Sequence, residues 1–254
     1  MPASNLHRPG WREPPLTAMR LVDTCRLLPS RFVDEEDSVL SALADNQAHL
    51  QELFELDNAT NQRLAAERGA RPGIGIDELV FGVPNFRIIN AAFTYARPEG
   101  SRFNDGSRGA WYCAFDAETA LAEIIFHKTV EYAEIDYFQD SVSYQLMLAD
   151  FSAQFHDIRR AKGYGSCLNP VSYIASQELA AFLTECGSLG LVYPSVRHAE
   201  GTNLVCFRPA LVNNVRKSSA YQLTWNGSPT PVVSVQKAKR RRSDKGNAVT
   251  KRQE

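Results

Sequence analysis

The chain predicts an α+β protein with a mixed β core and flanking helices. Segments of helical spacing and short aromatic or β-branched segments both occur. They follow one another without regular βαβ alternation. The 254 residues, 44% of them hydrophobic, suffice for one sizeable core, and no internal repeat divides it.

The elements read as follows. Residues 1–16 are Pro-rich and expected to be loose; residues 17–236 form one domain. Residues 17–33 hold a short apolar run, an extended segment broken at Pro29. Residues 34–56 place Leu40, Leu43, Leu50, Leu53 and Phe54 near helical spacing, with acids first, where the helix dipole favours them. A second helix over 59–68 stops at Gly69, which makes 34–69 a helical segment. Residues 70–84 carry three glycines and two prolines and read mainly as turns. FRIINAAFTYA (86–96) reads as a strand, with a buried helix as the alternative. A polar loop over 100–109 leads to an aromatic strand over 110–115. Asp116 is a natural N-cap for a helix from 117 to about 133. Strands over 142–151, 189–194 and 204–209 and a helix over 172–187 follow. Residues 221–225 and 232–235 read as late edge strands.

Net charge is −1, but residues 237–254 hold eight Lys/Arg and two acids, so the remainder is acidic. Such a tail reads as a solvated, disordered end. It also carries an alternative function, a nucleic-acid-binding or RNA-cleaving protein acting through its basic C-terminus. Five scattered cysteines without C-x-x-C pairing argue against a zinc ribbon and against a disulfide framework. No apolar leader region and no stretch of eighteen apolar residues occurs, so a cytoplasmic protein without membrane contact is expected.

The common catalytic signatures G-x-S-x-G, G-x-x-x-x-G-K-[ST] and H-E-x-x-H are absent. One carboxylate stands out. Glu123 sits inside LAEIIF, the most apolar part of its helix, and an unpaired carboxylate in a core costs several kcal/mol. Either it faces solvent or it faces a pocket that uses its charge. Glu123 and His127 lie i,i+4 on one helix face, but no third ligand suggests a metal, and no metal site is expected. Arg102 in its Gly/Ser/Asn loop reads as a solvated side chain or as an anion clamp. Ser195 and Arg197 open another loop after a strand.

Taken together, GSRFN (100–104), GAWY (109–112), TALAE (119–123), YPSVRH (193–198) and GTNLV (201–205) resemble the RES domain family over roughly residues 20–210. The family's Arg, Glu and Ser match Arg102, Glu123 and Ser195. PSRF (29–32) is similar to its early Arg-aromatic pair, with Phe32 where Tyr is frequent. The resemblance implies an ADP-ribosyltransferase-like fold. It implies the toxin of a toxin–antitoxin pair that consumes NAD+ by cleaving the nicotinamide–ribose bond. The acceptor would be phosphate or water, or a protein side chain by ADP-ribosyl transfer. It implies catalytic roles for Arg102, Glu123 and Ser195, and NAD+ contacts from Arg31, Tyr112 and Asn203. NAD+ is then a substrate, no cofactor is needed, and phosphate is a candidate co-substrate. The partner would be a helix-turn-helix antitoxin, with DNA reached only through it and a homodimer within the complex left open. A third reading is a degenerate member that only binds a partner, against which the intact Arg102, Tyr112, Glu123 and Ser195 set speaks.

Overall fold

A computed structural model of the protein describes residues 10–33 and 73–236. The helices expected over 34–56 and 59–68, residues 1–9 and the basic tail lie outside the described residues.

Seven strands form one mixed sheet: β1 (Leu16–Pro29), β2 (Trp111–Ala114), β3 (Gln139–Asp157), β4 (Gly190–Pro194), β5 (Thr202–Cys206), β6 (Asn213–Asn226) and β7 (Val232–Gln236). Among the described residues, three α-helices accompany it: α1 (Phe86–Thr94), α2 (Ala117–Glu134) and α3 (Ile174–Glu185). The strand order is β1-β2-β5-β4-β3-β6-β7, with β1 also paired to β3. The β3–β4 pair is parallel and the other pairs are antiparallel. Because β1 meets both β2 and β3, the pairings run round a closed circuit of five strands, with β6 and β7 extending from β3.

The first strand is longer than the apolar run suggested. It pairs from Leu16↔His156 to Pro29↔Tyr144, with a register shift between Leu21 and Thr24. Asp23 sits in that shift at φ 62, where Asp is tolerated better than most residues, and its amide donates to Asp150 Oδ1 at 2.9 Å. Residues 10–15 are held against the domain rather than loose. The Trp11 ring stacks on Tyr164 at 6.2 Å, and the Tyr164 hydroxyl donates to the Arg12 carbonyl at 2.9 Å.

Residues 86–94 are helix, not strand. Ile89, Asn90 and Phe93 are the buried set, which is helical spacing. The buried Asn90 amide is satisfied by both backbone groups of Val80, at 3.1 and 2.8 Å. Residues 221–225 are likewise not an edge. They belong to a 14-residue strand between β3 and β7, and β7 lies at the end of the strand order.

Each helix covers its own part of the core. α1 contributes Ile89 and Phe93 to a cluster with Trp111, Met147 and Phe155. α3 sets Leu179, Ala180 and Leu183 against Leu191, Val205 and Phe103. α2 packs Ala120, Leu121, Ile124, Ile125 and Tyr132 on Tyr144, Leu223 and Trp225. Each fully buried Leu or Phe contributes about 1.5–3 kcal/mol. Cys25, Cys113, Cys167 and Cys206 are buried free thiols. Burial pushes Cys25 and Cys167 up to about 11 and Cys113 and Cys206 up to about 12, so they stay protonated as small core residues. Among the described residues, no helix is long and apolar enough to cross a membrane.

Candidate functional site

The site is built where β2 turns into α2. Asp116 caps the helix: its Oδ1 accepts the Thr119 amide at 2.7 Å and its Oδ2 accepts the Thr119 hydroxyl at 2.9 Å. With that hydroxyl proton committed, Thr119 Oγ1 is left to accept from His198 Nδ1 at 2.9 Å. The helix start is thereby tied to the β4–β5 loop. Gly201 permits the approach, since a Cβ there would lie 2.6 Å from Thr119 Oγ1.

The apolar setting of Glu123 resolves into two faces. Leu121, Ile124 and Ile125 turn toward the core, whereas Glu123 turns toward the ends of β4 and β5. Its Oε1 accepts the Ser195 hydroxyl at 2.9 Å and the Asn203 side-chain amide at 3.0 Å. Strand register makes this meeting. Tyr193 pairs with Asn203 across β4–β5, and Ala114 pairs with Asn203 across β2–β5. Ser195 also accepts the Arg197 and His198 amides at 3.2 and 3.1 Å. Its hydroxyl donates once and accepts twice, so its part here is to orient the carboxylate.

Arg102 lies in a tightly pinned loop. Gly100, at φ +74, starts a turn that Ser101 and Asn104 close. The Tyr112 hydroxyl accepts the Phe103 amide at 2.9 Å and donates to Asn104 Oδ1 at 2.7 Å. Gln177 Nε2 on α3 binds the carbonyls of Glu99, Ser101 and Asn104. From this loop Arg102, 8% exposed, sends Nη1 to the carbonyls of Asn169 at 2.7 Å and Cys167 at 3.2 Å. Its guanidinium stacks over Tyr173 at 4.6 Å. Among the described residues, no partner takes its Nε or Nη2.

Tyr193 links the two halves. Burial pushes its hydroxyl well above the usual phenol range. Tyr112 and Glu123 push the same way and Arg102 opposes them, so all three lie within electrostatic reach of one side chain. Arg197 completes the wall. Its guanidinium covers the Phe126 ring at 3.4 Å and Nη2 donates to the Pro170 carbonyl, while its buried Nε has no hydrogen-bond partner among the described residues.

Of the six residues singled out by sequence, Glu123, Ser195 and Asn203 are in direct contact. Tyr112, on β2, holds the Arg102 loop through its hydroxyl. Arg31 is on a short turn (Ser30–Phe32), exposed, with its guanidinium 4.7 Å over Phe32. Arg108 is paired with both oxygens of Glu78 at 2.7 and 2.8 Å. Thr119 and His198 were not legible as a link; only the Asp116 cap signalled where they meet. No group of three or more His, Cys, Asp or Glu is arranged for a metal ion among the described residues. A cavity of about 630 Å³, lined by Thr17, Asp157, Arg159, Arg160 and Thr202 among others, includes none of the six. Arg159 there is bound to Asp157, at 2.6 Å at the closest, which leaves that cavity without the Glu123 chemistry.

Comparison with known proteins gives a family for the chain. The RES domain model matches residues 79–226, which holds five of the six residues. The "Uncharacterized protein y4oC" of Sinorhizobium fredii (strain NBRC 101917 / NGR234) is 27% identical over 203 residues, covering 80% of this chain and 83% of that protein. A chain of the M. tuberculosis MbcT-MbcA toxin-antitoxin complex is similar at TM-score 0.44 and 12% identity, covering 82% of this chain and 87% of that one. At that score the likeness carries no further argument.

Proposed function

This chain belongs to the RES domain family, and from that premise we propose that it is the toxin of a toxin–antitoxin pair that cleaves the nicotinamide–ribose bond of NAD+. The observation that carries the proposal is the Glu123 carboxylate, held at Oε1 by Ser195 and Asn203.

The chemistry asks for a fixed negative charge. As the N-glycosidic bond breaks, the electron pair leaves with nicotinamide, which departs neutral and needs no proton. Positive charge gathers on the ribose C1′ and ring oxygen. A carboxylate that is already oriented stabilises that charge without reorganising. Two donors on Oε1 fix the orientation of the carboxylate and leave Oε2 for the ribose. Arg102 and Arg197 add cationic character near the same helix face, suited to the pyrophosphate. Tyr112, with its hydroxyl committed to the Arg102 loop, has its ring to offer to the nicotinamide. Arg31 enters the proposal only as an outer cation for the dinucleotide. NAD+ is the substrate, with no resident cofactor, and phosphate, water or a protein side chain is the acceptor.

The partner in this proposal is a helix-turn-helix antitoxin that covers the site, so that DNA is reached through it. Supporting a covering partner, Val171 and Ile174 are 89% and 69% exposed on either side of Tyr173, the residue beneath Arg102. The test is direct. Purified protein incubated with NAD+ releases nicotinamide, and phosphate diverts the other product from ADP-ribose to ADP-ribose 1-phosphate. No nicotinamide from the folded wild type overturns the proposal.

A further inference from the structure

One group in the site has no task in the account above. His127 lies one turn beyond Glu123 on α2, half-buried, on the same helix face. Among the described residues it makes no hydrogen bond. Two guanidiniums bracket it along that face. Arg197 sits over Phe126, the preceding residue, at 3.4 Å. Arg97 reaches Glu131, one turn further on, at 3.6 Å. A partly open imidazole between two arginines, beside an oriented carboxylate, is placed to meet a small acceptor approaching the ribose.

Resting on the NAD+-cleaving reading, the geometry points to His127 as the general base that takes the proton of the attacking acceptor. In the step, the acceptor oxygen forms a bond to ribose C1′ as the C1′–N bond breaks. Nicotinamide leaves with that bond's electron pair. The acceptor's O–H proton passes to an imidazole nitrogen of His127 and is later lost to solvent. Water yields ADP-ribose, and monobasic phosphate yields ADP-ribose 1-phosphate. Glu123 faces the ribose charge, so the two groups divide the work.

The imidazole is suited to that task. Burial lowers its pKa below the usual value of 6.5; Glu123 opposes this, and Arg197, Arg97 and Arg102 lower it further. These are the charged groups that act on it from α2, from the loop after α1 and from the β4–β5 loop. The neutral, proton-accepting form therefore prevails at pH 7. Activity that depends on it is lost as pH falls through a midpoint below 6.5.

Azide separates a base from a structural residue, because azide is an anionic nucleophile with no proton to give up. In phosphate-free buffer, His127→Ala is expected to lower hydrolysis about 10²–10⁴-fold. With azide, the same variant is expected to retain nicotinamide release within a few-fold of the wild type, and the acid limb of its pH profile is expected to disappear. Equal losses with water and azide, or an unchanged acid limb, would overturn the assignment. If His127→Ala does not fold, His127→Gln decides by the same comparison. Absence of nicotinamide from the wild type strikes the underlying reading instead, which keeps the two failures distinct.

Discussion

Replacing Glu123 by Gln removes one charge and almost no volume. The glutamine oxygen can take the place of Oε1 and still accept from Ser195 and Asn203, now 2.9 and 3.0 Å from a carboxylate oxygen. Each bond changes from charge-assisted, about 1.5–3 kcal/mol, to neutral, about 0.5–1.5 kcal/mol. The folded state thus loses at most about 2–3 kcal/mol, less because the site is half-exposed, against a domain stability of about 5–15 kcal/mol. The transition state loses more. Removing a fixed partner of the developing charge costs about 2.7–4 kcal/mol, or about 10²–10³ in rate. The assay is nicotinamide release from NAD+ under saturating substrate, with circular dichroism melting of the same preparations. A folded Glu123→Gln protein with wild-type turnover would refute the reasoning. So would a rate loss fully explained by a larger unfolded fraction.

Two further expectations follow from other parts of the chain. Asp116→Ala removes the cap and both bonds to Thr119; it should cost about 0.5–2 kcal/mol and lower Tm by a few degrees. It should also lower turnover, because His198 loses its ordered anchor on Thr119, and a variant with unchanged melting and turnover would dismiss the tie between helix start and loop. Removal of residues 237–254 should leave NAD+ turnover intact and abolish any salt-sensitive retention on RNA. Tail-dependent, salt-sensitive retention on RNA with no NAD+ turnover in the full chain would favour the nucleic-acid reading instead.

What was legible in the sequence depended on how local the signal was. Asp116 followed by an apolar helix is a local signal, and both the cap and the helix are where the spacing put them. Glu123 announced itself as a charge in an apolar setting. Its contact with Asn203 did not, because it arises from the Tyr193↔Asn203 and Ala114↔Asn203 pairings, which no local pattern encodes. The segment 86–94 misled because a short run of Phe and Ile is as rich in strand formers as in helical faces. The buried pair of Ile89 and Phe93 discloses the period only once the sheet is in place. The early half of β6, NNVRKSSA, is too polar to read as a strand, and its pairing with β3 is a tertiary decision. Arg197 over Phe126 brings together residues from the β4–β5 loop and α2, a packing outcome beyond local reading.

The closed circuit of strands has a consequence for when the proposed site is assembled. Thr24 on β1 hydrogen-bonds Ala149 on β3 across 125 residues of chain, at 2.6 Å. Pairings of that separation form late and belong to the slow-folding class of topologies. On the ribosome the first strand therefore waits, unpaired along most of its length, until β3 has emerged, and the loop bearing Ser195 and the strand bearing Asn203 emerge later still. The carboxylate is among the earlier parts synthesised and the groups that orient it among the last. If the chain acts as proposed, its chemistry depends on that assembly and is inert while the chain is being made, which leaves an interval for the proposed partner to be waiting when the last strands arrive.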